Sequence, residues 1–146
     1  IGLVHPGPPT SSVTERVAAI VRDAVAGRDV AIPLKSETRI PVVSVAAVVA
    51  GLMALHDVTS AKLNGIGAIN LPALTVSMAN IVAALERTVD PSHLGKITFA
   101  PDAALEAIVD SWPKGFVSRA ASAVGISGDD TFESIVRHYI ASLANA

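Results

Sequence analysis

The chain has 146 residues, enough for one domain of ordinary size. Hydrophobic residues make up 51% and charged residues 16%, an apolar balance that demands a large buried core or a large buried interface. The net charge of −2 offers no basic surface for nucleic acid, and the absence of cysteine excludes disulfides, thiolate metal sites and a thiol nucleophile.

Ile1 to Val4 is apolar and predicts a short strand buried on both faces, ended by His5-Pro6-Gly7-Pro8-Pro9. Its partner is either a later strand or chain outside this sequence. Ser12-Val13-Thr14-Glu15 fits a capping box, and the helix behind it sets Val13, Val17, Ile20, Val21, Ala24 and Val25 on one face. Gly27 stands where a left-handed C-cap is wanted. Asp29 to Leu34 predicts a second strand and Arg39 to Val43 a third, with Pro41 implying an edge or a bulge. Ser44 caps a helix over Val45 to His56 whose apolar residues cover so much of its circumference that burial on several sides is expected.

Asn64-Gly65-Ile66-Gly67 reads as a turn, and Ala68 to Leu71 as a strand. Thr75-Val76-Ser77 leads into a helix with Ile81, Val82 and Leu85 inward, stopped by Asp90-Pro91-Ser92. Lys96 to Phe99 predicts a strand, and Pro101 the first position of a helix through Ile108, Val109 and Trp112. Val117 to Val124 is a short helix with Gly125 as its C-cap. Asp130-Thr131-Phe132-Glu133 is a second capping box, opening a helix with Phe132, Ile135, Val136, Tyr139, Ile140 and Leu143 inward.

Five short strands and six helices, mixed along the chain, indicate α/β or α+β, without enough strand for a full doubly wound sheet. The longest charge-free runs, 40–55 and 63–85, are broken by proline, glycine or polar residues, so neither gives the ~20 apolar residues of a membrane span. The first residue is Ile and no basic-plus-apolar leader precedes it. The expectation is a piece of something longer, or a processed product, in a cytoplasmic setting.

Complete catalytic sets are absent from the sequence. His5, His56, His93 and His138 have no metal-ligand spacing, and there is no H-E-x-x-H, G-x-S-x-G, G-x-G-x-x-G or P-loop. Gly65-Ile66-Gly67 lies between helix and strand, the wrong order for a dinucleotide turn. Asp129 and Asp130 suit helix capping better than paired acid–base work, and Asp102 and Glu106 suit a helix start, where the dipole favours acids. Tyr139 has no Y-x-x-x-K partner and is expected on the inner face of its helix. Two candidates stand out. Arg39 heads a buried strand, where its guanidinium either clamps a carboxylate or phosphate or pairs at the surface with Glu37 or Asp57. The loop from His5 to Ser12 is either an anion site at a helix N-terminus or an ordinary connection.

The strand ending in Pro6-Gly7-Pro8-Pro9, the Ser11-Ser12 helix start, Gly27, Pro33, Thr38-Arg39 and Ser44 follow one another in a familiar order. So do Asn70 to Ser77, Ser111-Trp112-Pro113, Ser118-Arg119-Ala120, Val124-Gly125 and Asp130 to Tyr139. Together these segments resemble, over nearly the whole chain, the carboxyl-terminal part of the extended short-chain dehydrogenase/reductases. That is the nucleoside-diphosphate-sugar epimerase/dehydratase family, in its branch of D-erythronate dehydrogenase-like proteins. The chain departs from the family pattern at His5, Thr10 and Val13.

The resemblance implies that residues 1–146 are a substrate-binding portion, a small mixed α/β domain with short strands, together with the last strands of a Rossmann domain. The nucleotide-binding half, with the catalytic serine, tyrosine and lysine and most of the NAD or NADP site, would lie outside this chain. It implies an oxidoreductase acting by hydride transfer on a sugar acid. The alternatives are a nucleotide-sugar epimerase, or a non-catalytic binding module lacking the Rossmann half. It further implies a homodimer, while the residues themselves give no expectation of a metal, nucleic-acid or membrane partner. Carried over residue by residue, Arg39 falls on the substrate-anchoring arginine and Ser12 on the serine of the loop near the substrate; no catalytic or cofactor-binding residue of the family falls within this chain.

Overall fold

The structure is a computed structural model and describes residues 2–4, 12–63, 65 and 67–144. In chain order the elements are β1 (Gly2–Val4), α1 (Val13–Val25), β2 (Val30–Ile32), β3 (Arg39–Ser44), α2 (Val45–His56), α3 (Ser60–Leu63), β4 (Leu74–Ser77), α4 (Met78–Thr88), β5 (Ile97–Phe99), α5 (Ala103–Asp110), α6 (Arg119–Ala123) and α7 (Phe132–Leu143). The expected mixture of short strands and helices is present, with β1, β3 and β4 in one sheet and β2 with β5 in another.

β3 organises the larger sheet. It pairs parallel with β1, Gly2 opposite Val42 and Val4 opposite Ser44, and antiparallel with β4, Arg39 opposite Ser77 and Val42 opposite Leu74. The first strand therefore finds a partner within the chain. β3 is the central strand, not the edge that Pro41 suggested. Among the described residues β1 pairs with β3 from Val42 to Ser44, so at Pro41 the described neighbour is β4 and the missing N–H takes no bond from the described part of β1. β4 itself lies at Leu74–Ser77 and not at Ala68 to Leu71. The β-branched Thr75 and Val76 carry the strand, and Ser77 turns it directly into α4 by accepting from Asn80 N at 3.1 Å.

Capping residues set most helix starts. Ser12, Ser44, Ser77, Asp102, Ser118 and Thr131 each accept from a backbone amide of the first turn. Two helices start later than expected. Asp102 caps α5, so its first helical residue is Ala103 and not Pro101, and Thr131, not Asp130, caps α7 by accepting from Ser134 N. Gly27, at φ 74°, ends α1 as expected, in a region where a side chain would be strained. The main core lies between the sheet, α1, α4 and α7, with Ile20, Ile40, Met78, Leu85, Ile135 and Val136 fully buried.

The expectation for α2 is overturned. Among its residues only Gly51 is buried, while Val45, Val49, Leu52 and Met53 are 38%, 47%, 62% and 65% exposed along one face. The helix approaches the chain through its small residues: a Cβ on Gly51 would stand 2.6 Å from Leu71 Cδ1 and 3.4 Å from Ile126 Cγ2. A helix apolar all round gives no periodicity to say which face turns inward.

The junction of β3 and α2 is held from a distance. The Asp129 carboxylate accepts from Ser44 N at 2.8 Å and from Ser44 Oγ at 2.7 Å, while Ser44 Oγ accepts from Ala47 N at 3.0 Å. Asp129 therefore braces the start of α2 instead of capping α7. Asp129→Ala is expected to cost about 1 kcal/mol, since water reaches this half-exposed carboxylate and replaces part of what is lost. Urea unfolding followed by circular dichroism reads the shift, and Asp129→Asn should recover most of it.

Candidate functional site: a charged cleft at the head of β3

The residues around Arg39 are placed by three local devices. The turn between β2 and β3 closes with Thr38 N donating to Lys35 O at 3.1 Å. Its carbonyls then receive the first amides of α4: Met78 N donates to Thr38 O at 3.1 Å and Ala79 N to Ser36 O at 2.9 Å. Donors that a helix start leaves without intrahelical partners thus become the clamp on the turn. From the other side, Asp102 N donates to Pro33 O at 3.1 Å, which sets the start of α5 against the end of β2.

α5 then brings Glu106 under the turn. Glu106 is 7% exposed, and its carboxylate accepts from Thr38 Oγ1 at 2.8 and 2.9 Å and from Lys35 N in a short bond. A buried carboxylate with its oxygens so occupied is a structural acid and is not free to abstract a proton. Its charge lies beneath the head of β3.

Above it opens a cleft of about 310 Å³ lined by Lys35, Glu37, Thr38, Arg39, Glu106, Asp110 and Lys114. Arg39 is exposed, and its guanidinium takes part in none of the hydrogen bonds or ion pairs among the described residues. The surface pair with Glu37 or Asp57 is not formed. Glu37 instead turns to Ser36 Oγ at 2.9 Å. Its own backbone amide, then the Ser36 hydroxyl and the charge of Lys35, hold its carboxyl below the usual carboxylate range. Arg39 thus lines the cleft with the donors of its guanidinium uncommitted among the described residues.

Ser12 does not line this cleft. It is exposed, caps α1 by accepting from Glu15 N at 3.2 Å, and lies 3.0 Å from Thr14 Oγ1. The loop from His5 to Ser11 lies outside the described residues. Tyr139 is packed inward as expected, 5% exposed, and burial pushes its phenol pKa up, opposite to what a catalytic base needs. Among the described residues no group of histidines and acids is arranged to hold a metal, and no helix is long and apolar enough to cross a membrane.

The sequence reading missed Glu106, Asp110 and Lys114 as parts of one site. Glu106 had one usable signal: it sits between Leu105 and Val109 on the buried stripe of α5, where an acid needs partners. Its partner Thr38 is 68 residues away, so nothing local identifies it.

No family model matches the chain. In sequence it is 28% identical over 137 residues to D-erythronate dehydrogenase of Cupriavidus necator, a match that takes in 94% of this chain and 42% of the relative. The D-erythronate dehydrogenase of Haemophilus influenzae is also 28% identical, over 94% of this chain and 44% of its own length. The chain thus spans less than half the length of these curated relatives. In structure it matches a nucleoside-diphosphate-sugar epimerase from Agrobacterium tumefaciens with a TM-score of 0.89 and 19% identity, over 97% of this chain and 42% of the other. A GalE-like L-threonine dehydrogenase from Cupriavidus necator follows at 0.80 and 24%, over 97% and 45%. By sequence the chain is similar to D-erythronate dehydrogenases, and its fold is that of part of the nucleoside-diphosphate-sugar epimerase and L-threonine dehydrogenase structures.

Proposed function

We propose that this chain is the substrate-binding portion of an NAD- or NADP-dependent oxidoreductase acting on a sugar acid, with Arg39 anchoring the substrate carboxylate. The observation that carries the reading is the uncommitted guanidinium of Arg39 in a polar cleft, in a chain related along nearly its whole length to D-erythronate dehydrogenases. No residue of this chain is assigned to the cofactor. The sequence holds no glycine-rich turn between a strand and a helix, and the described residues carry no tyrosine suited to act as base. The contribution of this chain is orientation: a fork that fixes one end of the substrate aligns the carbon to be oxidised against groups supplied elsewhere.

The test is a spectrophotometric assay of the full-length protein at 340 nm, a wavelength set by reduced nicotinamide. Net formation of reduced cofactor with D-erythronate, and none with nucleotide sugars, is the expected result. Turnover of a nucleotide sugar without net cofactor reduction would favour an epimerase instead. The absence of both would leave a binding module.

A further inference from the structure

Asp110 and Lys114 stand on the wall of the Arg39 cleft, and anchoring a carboxylate leaves them without a role. The Lys114 ammonium donates to the Val109 carbonyl at 3.0 Å and to Asp110 Oδ1 at 3.2 Å. An ammonium has three donors, so one is left over, and the Asp110 carboxylate keeps lone pairs that nothing among the described residues occupies. Both side chains reach solvent, at 44% and 68% exposure. Their backbone is nevertheless fixed. Thr75 Oγ1 donates to Lys114 O at 2.7 Å, and Phe116 forms a bridge to Ala73 just before β4. The pair is thus presented from a braced segment into the same space as the guanidinium.

A hydroxyl both donates and accepts. A lysine–aspartate pair with a spare proton and spare lone pairs meets both needs at once, whereas a phosphate would be attracted by one member and repelled by the other. The rest of the lining points the same way. Lys35, Arg39 and Lys114 are balanced by Glu37, Glu106 and Asp110, three against three. A lining without net charge suits a ligand with one negative charge and several hydroxyls better than a diphosphate.

We infer that Asp110 and Lys114 form a hydroxyl-binding pair that reads the polyol end of a singly charged hydroxy acid whose carboxylate is held by Arg39. This rests on the reading of Arg39 given above, and the test separates the two. Calorimetric titration of the full-length protein, with NADH present so that no oxidation occurs, compares D-erythronate with glycolate, which has the carboxylate but lacks the distal hydroxyls. Lys114→Met and Asp110→Asn should each weaken D-erythronate about tenfold and leave glycolate unchanged. Arg39→Ala should weaken both acids. The ratio of the two affinities is the decisive quantity, because a merely structural role for the pair would lower both together. Should Lys114→Met fail to fold, Asp110→Asn carries the same comparison from an exposed side chain. Equal losses for the two acids, or no loss for either, in the Asp110 and Lys114 variants would overturn the pair while leaving Arg39 standing. No loss for either acid in Arg39→Ala would remove the anchor and the pair together.

Discussion

Glu106→Ala is expected to lower stability by about 3 kcal/mol, the largest loss expected from any single side chain around the cleft. The carboxylate is buried and accepts from Thr38 Oγ1 and Lys35 N. Removing it strands a hydroxyl and a main-chain amide in a place that water reaches poorly, at about 1–3 kcal/mol for an unmet group. Glu106→Gln keeps an oxygen for the Lys35 amide and gives the Thr38 hydroxyl a donor to accept from, so its loss should be a fraction of that. A urea midpoint much lower for the alanine variant than for the glutamine variant is the expected pattern. An alanine variant with the midpoint of the unmodified protein would mean that the two bonds to the turn contribute nothing. The alanine variant should also bind substrate less well, because Thr38 immediately precedes Arg39 and its position sets where β3 begins.

Arg39→Ala is the variant expected to reduce function most. In the proposed oxidoreductase the fork meets the substrate carboxylate in both ground and transition states, so the loss should fall on KM more than on kcat. Two charge-assisted hydrogen bonds in a cleft open to solvent are worth about 2 kcal/mol together, or about thirtyfold in kcat/KM. Arg39→Lys should recover only part of this, since an ammonium is a point charge without the planar fork. Stability should be nearly unchanged in both variants, because Arg39 is exposed and contributes no bond to the fold among the described residues. A stable protein with a raised KM is therefore the signature, and it separates Arg39 from Glu106, whose loss lowers stability as well as binding.

How far the fold could be read from the sequence follows from the range of the forces involved. The starts of α1, α2 and α4 were legible because serine caps act within three residues. The inward faces of α1 and α4 were legible because their apolar positions recur at the helical period. β4 was misplaced because Asn70-Leu71-Pro72 competes with Leu74-Thr75-Val76 for the same short strand, and only pairing with β3 decides between them. The exposure of α2 was hidden by its uniform composition. The partners of Asp129 and Glu106 could not be read from any local pattern. Each acts on a residue 85 or 68 positions away, and each looked locally like an ordinary helix-start acid. Arg39 was legible as a candidate because a lone cation heads an apolar strand, whereas the cleft around it is assembled by α5 and the segment that follows, which no local pattern connects to β3.

The claim that the Arg39 guanidinium holds a carboxylate is tested most directly by removing the charge from each side in turn. The quantity to measure is kcat/KM for D-erythronate divided by that for its uncharged amide, in the unmodified protein and in Arg39→Ala. The unmodified protein should prefer the acid by about thirtyfold, and the variant should lose that preference because neither substrate then meets a guanidinium. If Arg39→Ala still prefers the acid as strongly as the unmodified protein does, the carboxylate is bound somewhere else.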